Sequence, residues 1–88
     1  MKRYIITNSN FILTEAGPRE VAYISHSRNA LRAAQTWGNG DDPVRVYTMT
    51  GRPVSAAAWD TARRQYIRIA VSDNPAARLD LDGIEICE

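Results

Sequence analysis

One short segment of the sequence has the spacing of a helix, and most of the apolar sequence around it alternates as β-strands do. Ser27 is a suitable N-cap and Gly38 a suitable stop, so the sequence predicts a helix over residues 28–37. Its apolar residues share one stripe: Ala30, Leu31, Ala34 and Trp37. A chain with one helix of about three turns has to build its core by packing that helix on a sheet, which favours an α+β layer.

The segments on either side of the helix predict the strands of that sheet. Before the helix, strands are expected over residues 2–7 and 21–25, with turn chemistry at residues 8–10. Residues 11–13 either resume the first strand or fill the core. After the helix, the pattern predicts a β-meander over residues 44–49, 54–59 and 65–71 and a short last strand over residues 84–86. The expected fold class is α+β, a small antiparallel sheet of order β-β-α-β-β-β with a possible extra edge strand. The helix packs on one face, and the first strands pair with a strand of the meander.

The last strand of the meander has an apolar face and a polar face. Its apolar side chains are expected to cover the helix: Ile67, Ile69 and Val71. Tyr66 and Arg68 lie on the opposite face. If Val44 and Val46 also point inward, Arg45 and Tyr47 lie on that face too. We predict that this exposed face and the arginines of the turns bind a partner. The predicted partner-binding residues are Arg45, Tyr47, Arg52, Arg63, Arg64, Tyr66 and Arg68.

Length and cysteine content limit the class of protein. The 88 residues suffice for one small domain over residues 1–88. Cys87 is the only cysteine, which excludes an intramolecular disulfide and a cysteine-based metal site and favours the cytoplasm. The first apolar run is shorter than the roughly 7 to 15 residues of a signal peptide, and no segment approaches the ~20 needed to span a bilayer. We expect a cytoplasmic protein that has no membrane partner.

Charge is nearly balanced over the chain but unevenly distributed. The net charge is +1. Residues 44–72 carry five arginines and one aspartate, a net charge of +4, whereas residues 73–88 carry five acids and one arginine, a net charge of −4. The acidic segment either neutralises the basic sheet or competes with a partner for it, unless the asymmetry is a coincidence in a short chain.

Signatures of catalysis and of ion binding are weak. His26 is the only histidine, and Cys87 lies beside acidic residues that do not activate a thiol. The loop over residues 38–43 follows the helix and has no P-loop lysine, and residues 80–83 open like a calcium loop but have no distal glutamate at the required spacing. The sequence therefore predicts a non-catalytic protein with no metal and no cofactor.

Three kinds of binding protein remain. Tyr, Trp and Arg dominate protein interfaces, and one helix leaves the second sheet face or a sheet edge for a protein partner, which is the leading hypothesis. It predicts that Arg63→Glu with Arg64→Glu weakens partner binding. The runner-up is a nucleic-acid binder that uses Tyr47, Trp59 and Tyr66 for stacking and the arginines for phosphate. The third is a structural protein whose sheet pairs with itself. A monomer or a homodimer is expected.

Two segments, VAYISHSRNALRAAQTWG and VRVYTMTGRPVSAAAWD, together with the short β-β-α-β-β-β chain, resemble the small proteins of phages and mobile elements in GC-rich bacteria, including anti-CRISPR proteins. The resemblance is one of class and assigns no residue a role. It implies a stoichiometric inhibitor that occupies a surface of a host CRISPR–Cas or other defence complex. Such inhibitors often mimic nucleic acid with acidic residues, whereas the acids of this chain are few and clustered at its end.

Overall fold

The strands of this protein form one six-stranded sheet with a single helix packed on it. The structure is a computed structural model that describes residues 2–72 and 74–87. The elements are β1 (Tyr4–Thr14), β2 (Gly17–Ser25), α1 (Ala30–Trp37), β3 (Val44–Thr48), β4 (Pro53–Asp60), β5 (Gln65–Ile69) and β6 (Ile84–Cys87). The strand order is β5-β4-β3-β1-β2-β6, and neighbours are antiparallel except for β2 and β6. The predicted α+β class and the predicted pairing of the first strands with the meander are confirmed.

The helix begins later than predicted. Its N-cap is Asn29, whose side chain accepts a hydrogen bond from the Leu31 backbone at 3.0 Å. Ser27 instead accepts a hydrogen bond from Asn29 N at 3.2 Å in the preceding turn. The helix ends at the predicted place, but Gly38 has φ −69° and therefore needs no left-handed backbone. A Cβ at Gly38 would clash with the Ala34 carbonyl oxygen and lie 2.6 Å from the ring of Tyr66, so close packing is what requires glycine here.

The main core lies between the helix and one face of the sheet, called here the helix face. Its buried side chains come from the helix and from three strands: Tyr4, Ile6, Ala30, Ala33, Ala34, Val44, Val46 and Ala57. The alanines of α1 let the helix approach the sheet closely. Trp37 closes the end of this core by stacking on Tyr23, with ring centroids 5.4 Å apart, while Asn8 Nδ2 donates to the Trp37 carbonyl at 2.9 Å.

The first strand is longer than predicted and contains a bulge where a turn was expected. Opposite β2, Thr7 pairs with Ala22 and Phe11 pairs with Glu20, so residues 8–10 contain two extra residues rather than a chain reversal. Ser9 supplies the left-handed conformation, with φ 64°. The strand then resumes, and β2 begins at Gly17 instead of Val21. The far end of this hairpin, Phe11–Thr14 with Gly17–Glu20, is called the arm.

The prediction for the two faces of β5 is wrong. Tyr66 packs against the helix-face core, whereas Ile69 pairs with Ala56 on the opposite face. Hydrogen bonds of the Tyr66 hydroxyl decide this arrangement. The hydroxyl accepts from Asn39 N and Gly40 N, both at 3.1 Å, and donates to the Asp42 carbonyl at 3.0 Å. The loop that follows α1 thus holds Tyr66 on the helix face, and strand alternation sends the isoleucines to the other side. The strand also ends at Ile69, two residues earlier than predicted.

A segment over residues 70–83, called the crossover segment, joins β5 at one edge of the sheet to β6 at the other. Asp73 in this segment lies outside the described residues. The segment borders the sheet face opposite the helix, called the crossover face, where Leu79 packs on a second, smaller core of Ile5, Ala22, Tyr47 and Ile84. Leu79 N donates to the Gly51 carbonyl at 2.9 Å. A Cβ at Gly51 would lie 2.8 Å from the Leu79 carbonyl oxygen, so this glycine permits the contact. The predicted last strand is confirmed and extends to Cys87.

Candidate binding surface on the crossover face

A cavity of about 470 Å³ lies between the crossover face and the crossover segment. Its volume is in the range of ligand-binding pockets, about 300 to 1,000 Å³. Its apolar walls come from the arm, from β4 and β5, and from the crossover segment: Phe11, Ala56, Ile69, Val71 and Leu79. Arg45 and Glu20 also line it. Two further charged side chains, Arg78 and Asp80, come from the crossover segment, so the crossover face combines an apolar groove with charges of both signs.

The charged pair depends on the bulge in β1. Arg45 Nη2 donates to Ser9 Oγ at 3.1 Å and lies 3.7 Å from Glu20 Oε2. Ser9 N donates to the same carboxylate oxygen at 3.2 Å. Two polar atoms beside this network, Thr7 Oγ1 and Arg45 Nε, are buried without a hydrogen bond of good geometry among the described residues, although the side chains of Thr7 and Arg45 lie near enough to the Tyr47 hydroxyl to favour its charged form. Buried polar atoms without a partner are rare in folded proteins, so the hydrogen-bonding capacity of this face is incompletely used.

Tyr47 lies close to Arg45 on this face and is buried. Burial raises the pKa of its phenol, because a phenolate would be poorly solvated there. The positive charge of Arg45 opposes this shift and the negative charge of Glu20 adds to it. Tyr47 is therefore a neutral phenol at physiological pH, and the charges at the groove are those of Arg45 and Glu20 together with Arg78 and Asp80 of the crossover segment.

The arm forms an exposed apolar rim beside the groove. Three consecutive residues, Phe11, Ile12 and Leu13, are 63%, 42% and 86% exposed. Phe11 lines the groove, and Leu13, two residues further along the strand, points to the same face. Three consecutive exposed apolar residues are unfavourable in a sequence unless they have a function.

The residues predicted to form one partner-binding face lie in several places. Arg45 and Tyr47 lie on the crossover face, as expected when Val44 and Val46 point to the helix. Tyr66 and Arg68 lie on the helix face, so the structure separates them from the first pair. The arginines of the turns lie at two further positions: Arg52 between β3 and β4, and Arg63 and Arg64 between β4 and β5. These seven residues do not share one face of the sheet.

The aromatic side chains that the sequence suggested for stacking are engaged inside the protein. The hydroxyl of Tyr66 bonds the loop after α1, and its ring meets that of Trp59 edge-on with centroids 5.3 Å apart. Trp59 is half-buried, and Tyr47 is buried on the opposite face. The three rings thus do not form one exposed platform of the kind that binds single-stranded nucleic acid.

Sequence reasoning did not identify the arm or the apolar walls of the groove. The side chains concerned are Phe11, Ile12, Leu13, Glu20 and Ile69. A signal was present in residues 11–13, because a continuous apolar run directly after turn residues fits a bulged strand as well as it fits a core plug. The groove itself had no local signal, since it depends on the path of the crossover segment.

The histidine and the cysteine of the sequence do not line the groove. His26 is exposed, and its Nδ1 lies 3.2 Å from the Lys2 carbonyl oxygen. Cys87 is exposed in β6. Within residues 2–72 and 74–87, no group of three His, Cys, Asp or Glu side chains is placed to hold a metal ion. In the same part of the chain, no helix has the length and apolar character needed to cross a membrane.

A scan against protein-family models, a search of curated proteins and a search of solved structures each found no match to this chain.

Proposed function

We propose that this chain is a small non-catalytic binding protein that works by protein–protein contact through the arm and the groove beside it. The observation that carries the proposal is the exposure of Phe11, Ile12 and Leu13 on a two-stranded arm. Exposed apolar side chains that adjoin each other, with charged groups nearby, are typical of protein interaction sites. Their burial against a partner is favourable by about 25 cal/mol per Å² of apolar surface.

The arm and the groove have complementary roles in this proposal. Phe11 and Leu13 insert into the partner, and the apolar walls of the groove receive a side chain of the partner. Arg45 and Glu20 form the polar end of the groove, where Arg45 Nη2 and the carboxylate of Glu20 orient polar groups of the partner. Such an arrangement gives a central apolar contact beside hydrogen-bonding groups, as in well-packed interfaces.

The class resemblance is consistent with this mode of action, because a stoichiometric inhibitor acts by occupying a surface of its target. We extend the proposal accordingly: the partner is a protein complex of the host cell, such as a defence complex, and binding blocks one of its surfaces. Acidic mimicry of nucleic acid is not part of this proposal, since the contact surface is apolar.

Site-specific crosslinking tests the location of the contact. A photoreactive phenylalanine analogue is introduced at Leu13 on the arm or, as the matched control, at Ala62, an exposed position of the turn between β4 and β5. We expect one discrete adduct of one copy of the chain with one partner from position 13 and none from position 62. Adducts from position 62 alone, or equal yields from both positions, would contradict the proposal.

Affinity measurements with the partner identified in this way compare the arm with the turn. Phe11→Ser with Leu13→Ser should weaken binding by about a hundredfold or more, because two interface anchors are truncated, while the melting temperature stays close to that of the native protein. Arg63→Glu with Arg64→Glu is the competing pair that the sequence favours. Loss of binding in the turn variant alone would assign the contact to the arginines. Retention of the protein on nucleic acid at low salt, lost in the turn variant, would favour the nucleic-acid function instead.

A further inference from the structure

The two edge strands of the sheet, β5 and β6, have no strand paired along their outer sides within the described residues. Natural sheets usually protect such edges with charged side chains, especially lysine, with proline or with a bulge. Neither Gln65–Ile69 nor Ile84–Cys87 contains proline or lysine, and both are paired with their inner neighbours in continuous register. Apart from the Ile84 carbonyl, which accepts a hydrogen bond from Arg19 Nη2 at 2.8 Å, each edge has the backbone groups and the regular geometry needed to accept another strand.

The two edges run in the same direction. Four antiparallel pairings and one parallel pairing separate β5 from β6 across the sheet, so the two strands are parallel to each other. A second copy of the chain, shifted sideways in the plane of the sheet without rotation, places its β6 parallel to β5 of the first copy. In that arrangement the helix faces of the two copies lie on the same side.

The side chains of the two edges also match in their faces. Ile67 and Ile69 of β5 point to the crossover face, and so do Ile84 and Ile86 of β6. On the other side, Arg68 pairs with Ala57 of the helix-face core and therefore lies on the helix face. Glu85 pairs with Val21, next to Ala22 of the crossover-face core, which also places Glu85 on the helix face.

The two sequences, Ile-Arg-Ile in β5 and Ile-Glu-Ile in β6, therefore pair residue for residue. The matched pairs are Ile67 with Ile84, Arg68 with Glu85, and Ile69 with Ile86. Ile69 and Ile86 are 39% and 41% exposed in the single chain and would bury each other's side chains. Arg68 has no hydrogen bond or ion pair with the described residues. Glu85 contacts Arg19 through Oε2 at 3.4 Å, and its second carboxylate oxygen remains to accept from Arg68.

We propose that copies of this chain associate head to tail, with β5 of one copy adding in parallel to β6 of the next. This inference does not depend on the proposed function, because it rests on Arg68, Glu85 and the strand edges rather than on Phe11 and Leu13, although β6 adjoins the arm through Glu20 and Ile69 lines the groove. A contact between two different surfaces of the same molecule leaves one free β5 and one free β6 at the ends of each assembly. The assembly therefore grows beyond a dimer as concentration rises, unless sheet twist closes it into a ring.

Charge-swap complementation tests this contact directly. Sedimentation velocity is measured under reducing conditions, which keep Cys87 free, over roughly a hundredfold range of concentration at low salt. We expect the native protein to sediment faster as concentration rises. Arg68→Glu and Glu85→Lys should each weaken association by about tenfold or more, because like charges then face each other across the strands.

The mixture of the two variants is decisive. In an equal mixture, β5 of the Arg68→Glu variant meets β6 of the Glu85→Lys variant with opposite charges, and the native pair of Arg68 with Glu85 forms at the alternate contacts. Association should therefore return to the native level. Arg32→Glu, the same charge change on the exposed side of α1, is the matched control and should not alter association. Melting temperatures verify that each variant is folded, which matters for Glu85→Lys because it also loses the contact with Arg19.

Each alternative outcome overturns the proposal. A native protein that stays monomeric over the whole range shows that the edges do not pair. Native-like association of Arg68→Glu places the contact elsewhere, as does a mixture that remains as weak as its components. Loss of association in Phe11→Ser with Leu13→Ser, with Arg68→Glu unaffected, would assign self-association to the arm.

Discussion

The helix face and the crossover face belong to the same sheet but are covered in different ways. On the helix face, eight buried side chains, three of them alanines of α1, form one continuous apolar core. On the crossover face, four buried side chains form a smaller core, and the remaining area borders a cavity with a charged pair and two unpartnered polar atoms. A regular helix covers the first face, and an irregular segment with only short 3-10 turns borders the second.

This difference underlies the proposed division of the molecule into a face that mainly stabilises the fold and a face that binds a partner. Dense apolar packing gives the largest contribution to folding free energy, and it leaves no room for a ligand. A face with a cavity and incompletely satisfied polar groups contributes less to folding and can accept a partner's side chains at a smaller cost in rearrangement. We assign stability mainly to the helix face and binding mainly to the crossover face and the arm.

The largest expected effect compares one isoleucine from each core. Ile6 is fully buried on the helix face, and Ile84 is nearly so on the crossover face, where it borders the cavity. Ile6→Ala should lower the free energy of unfolding by about 4 kcal/mol, near the upper part of the range for such changes, because it opens a hole in dense packing. Ile84→Ala should lower it by about 2 kcal/mol, since fewer neighbours lose contact. Urea denaturation of both variants measures the two changes in the free energy of unfolding. Equal decreases would contradict the proposed difference between the two faces.

A smaller effect concerns pH and is confined to the crossover face. The pKa of Tyr47 is raised by burial, so the folded state favours the neutral phenol. Its contribution to stability is complete below the pKa of an unfolded tyrosine, about 10, and is lost as pH rises beyond it, because the unfolded chain releases the proton first. Between about pH 8 and about pH 11, Tyr47→Phe should therefore lose less stability than the native protein. Identical losses in the two proteins would show that Tyr47 is not desolvated by the crossover face.

Much of the fold was predictable because it depends on local pattern. The helix between two groups of strands, the three strands of the meander and the short last strand all follow from periodicity and turn residues. The predicted start of the helix was less accurate, because two residues near it can both act as the N-cap. Ser27 and Asn29 are both good N-caps, and the structure uses Asn29, directly before the buried Ala30.

The candidate site was less predictable because it depends on contacts between distant parts of the chain. Alternation in β5 correctly separates Ile67 and Ile69 from Tyr66 and Arg68, but it does not say which set meets the helix. The choice follows from the hydroxyl of Tyr66, which reaches the loop more than twenty residues earlier in the sequence. Because Tyr66 lies on the helix face, Ile67 and Ile69 lie on the crossover face. The residues predicted to form one basic and aromatic face are therefore divided between the two faces of the sheet.

The measurement that tests the division most directly uses two neighbouring alanines of β4. Both are buried, but Ala56 lines the cavity on the crossover face, whereas Ala57 lies in the helix-face core. Valine is compatible with a strand at both positions, so the two substitutions differ only in the space available to the added methyl groups. We predict that Ala57→Val lowers the free energy of unfolding by about 2 kcal/mol through overpacking, and that Ala56→Val changes it by less than about 0.5 kcal/mol. Equal costs, or a larger cost at Ala56, would contradict the account.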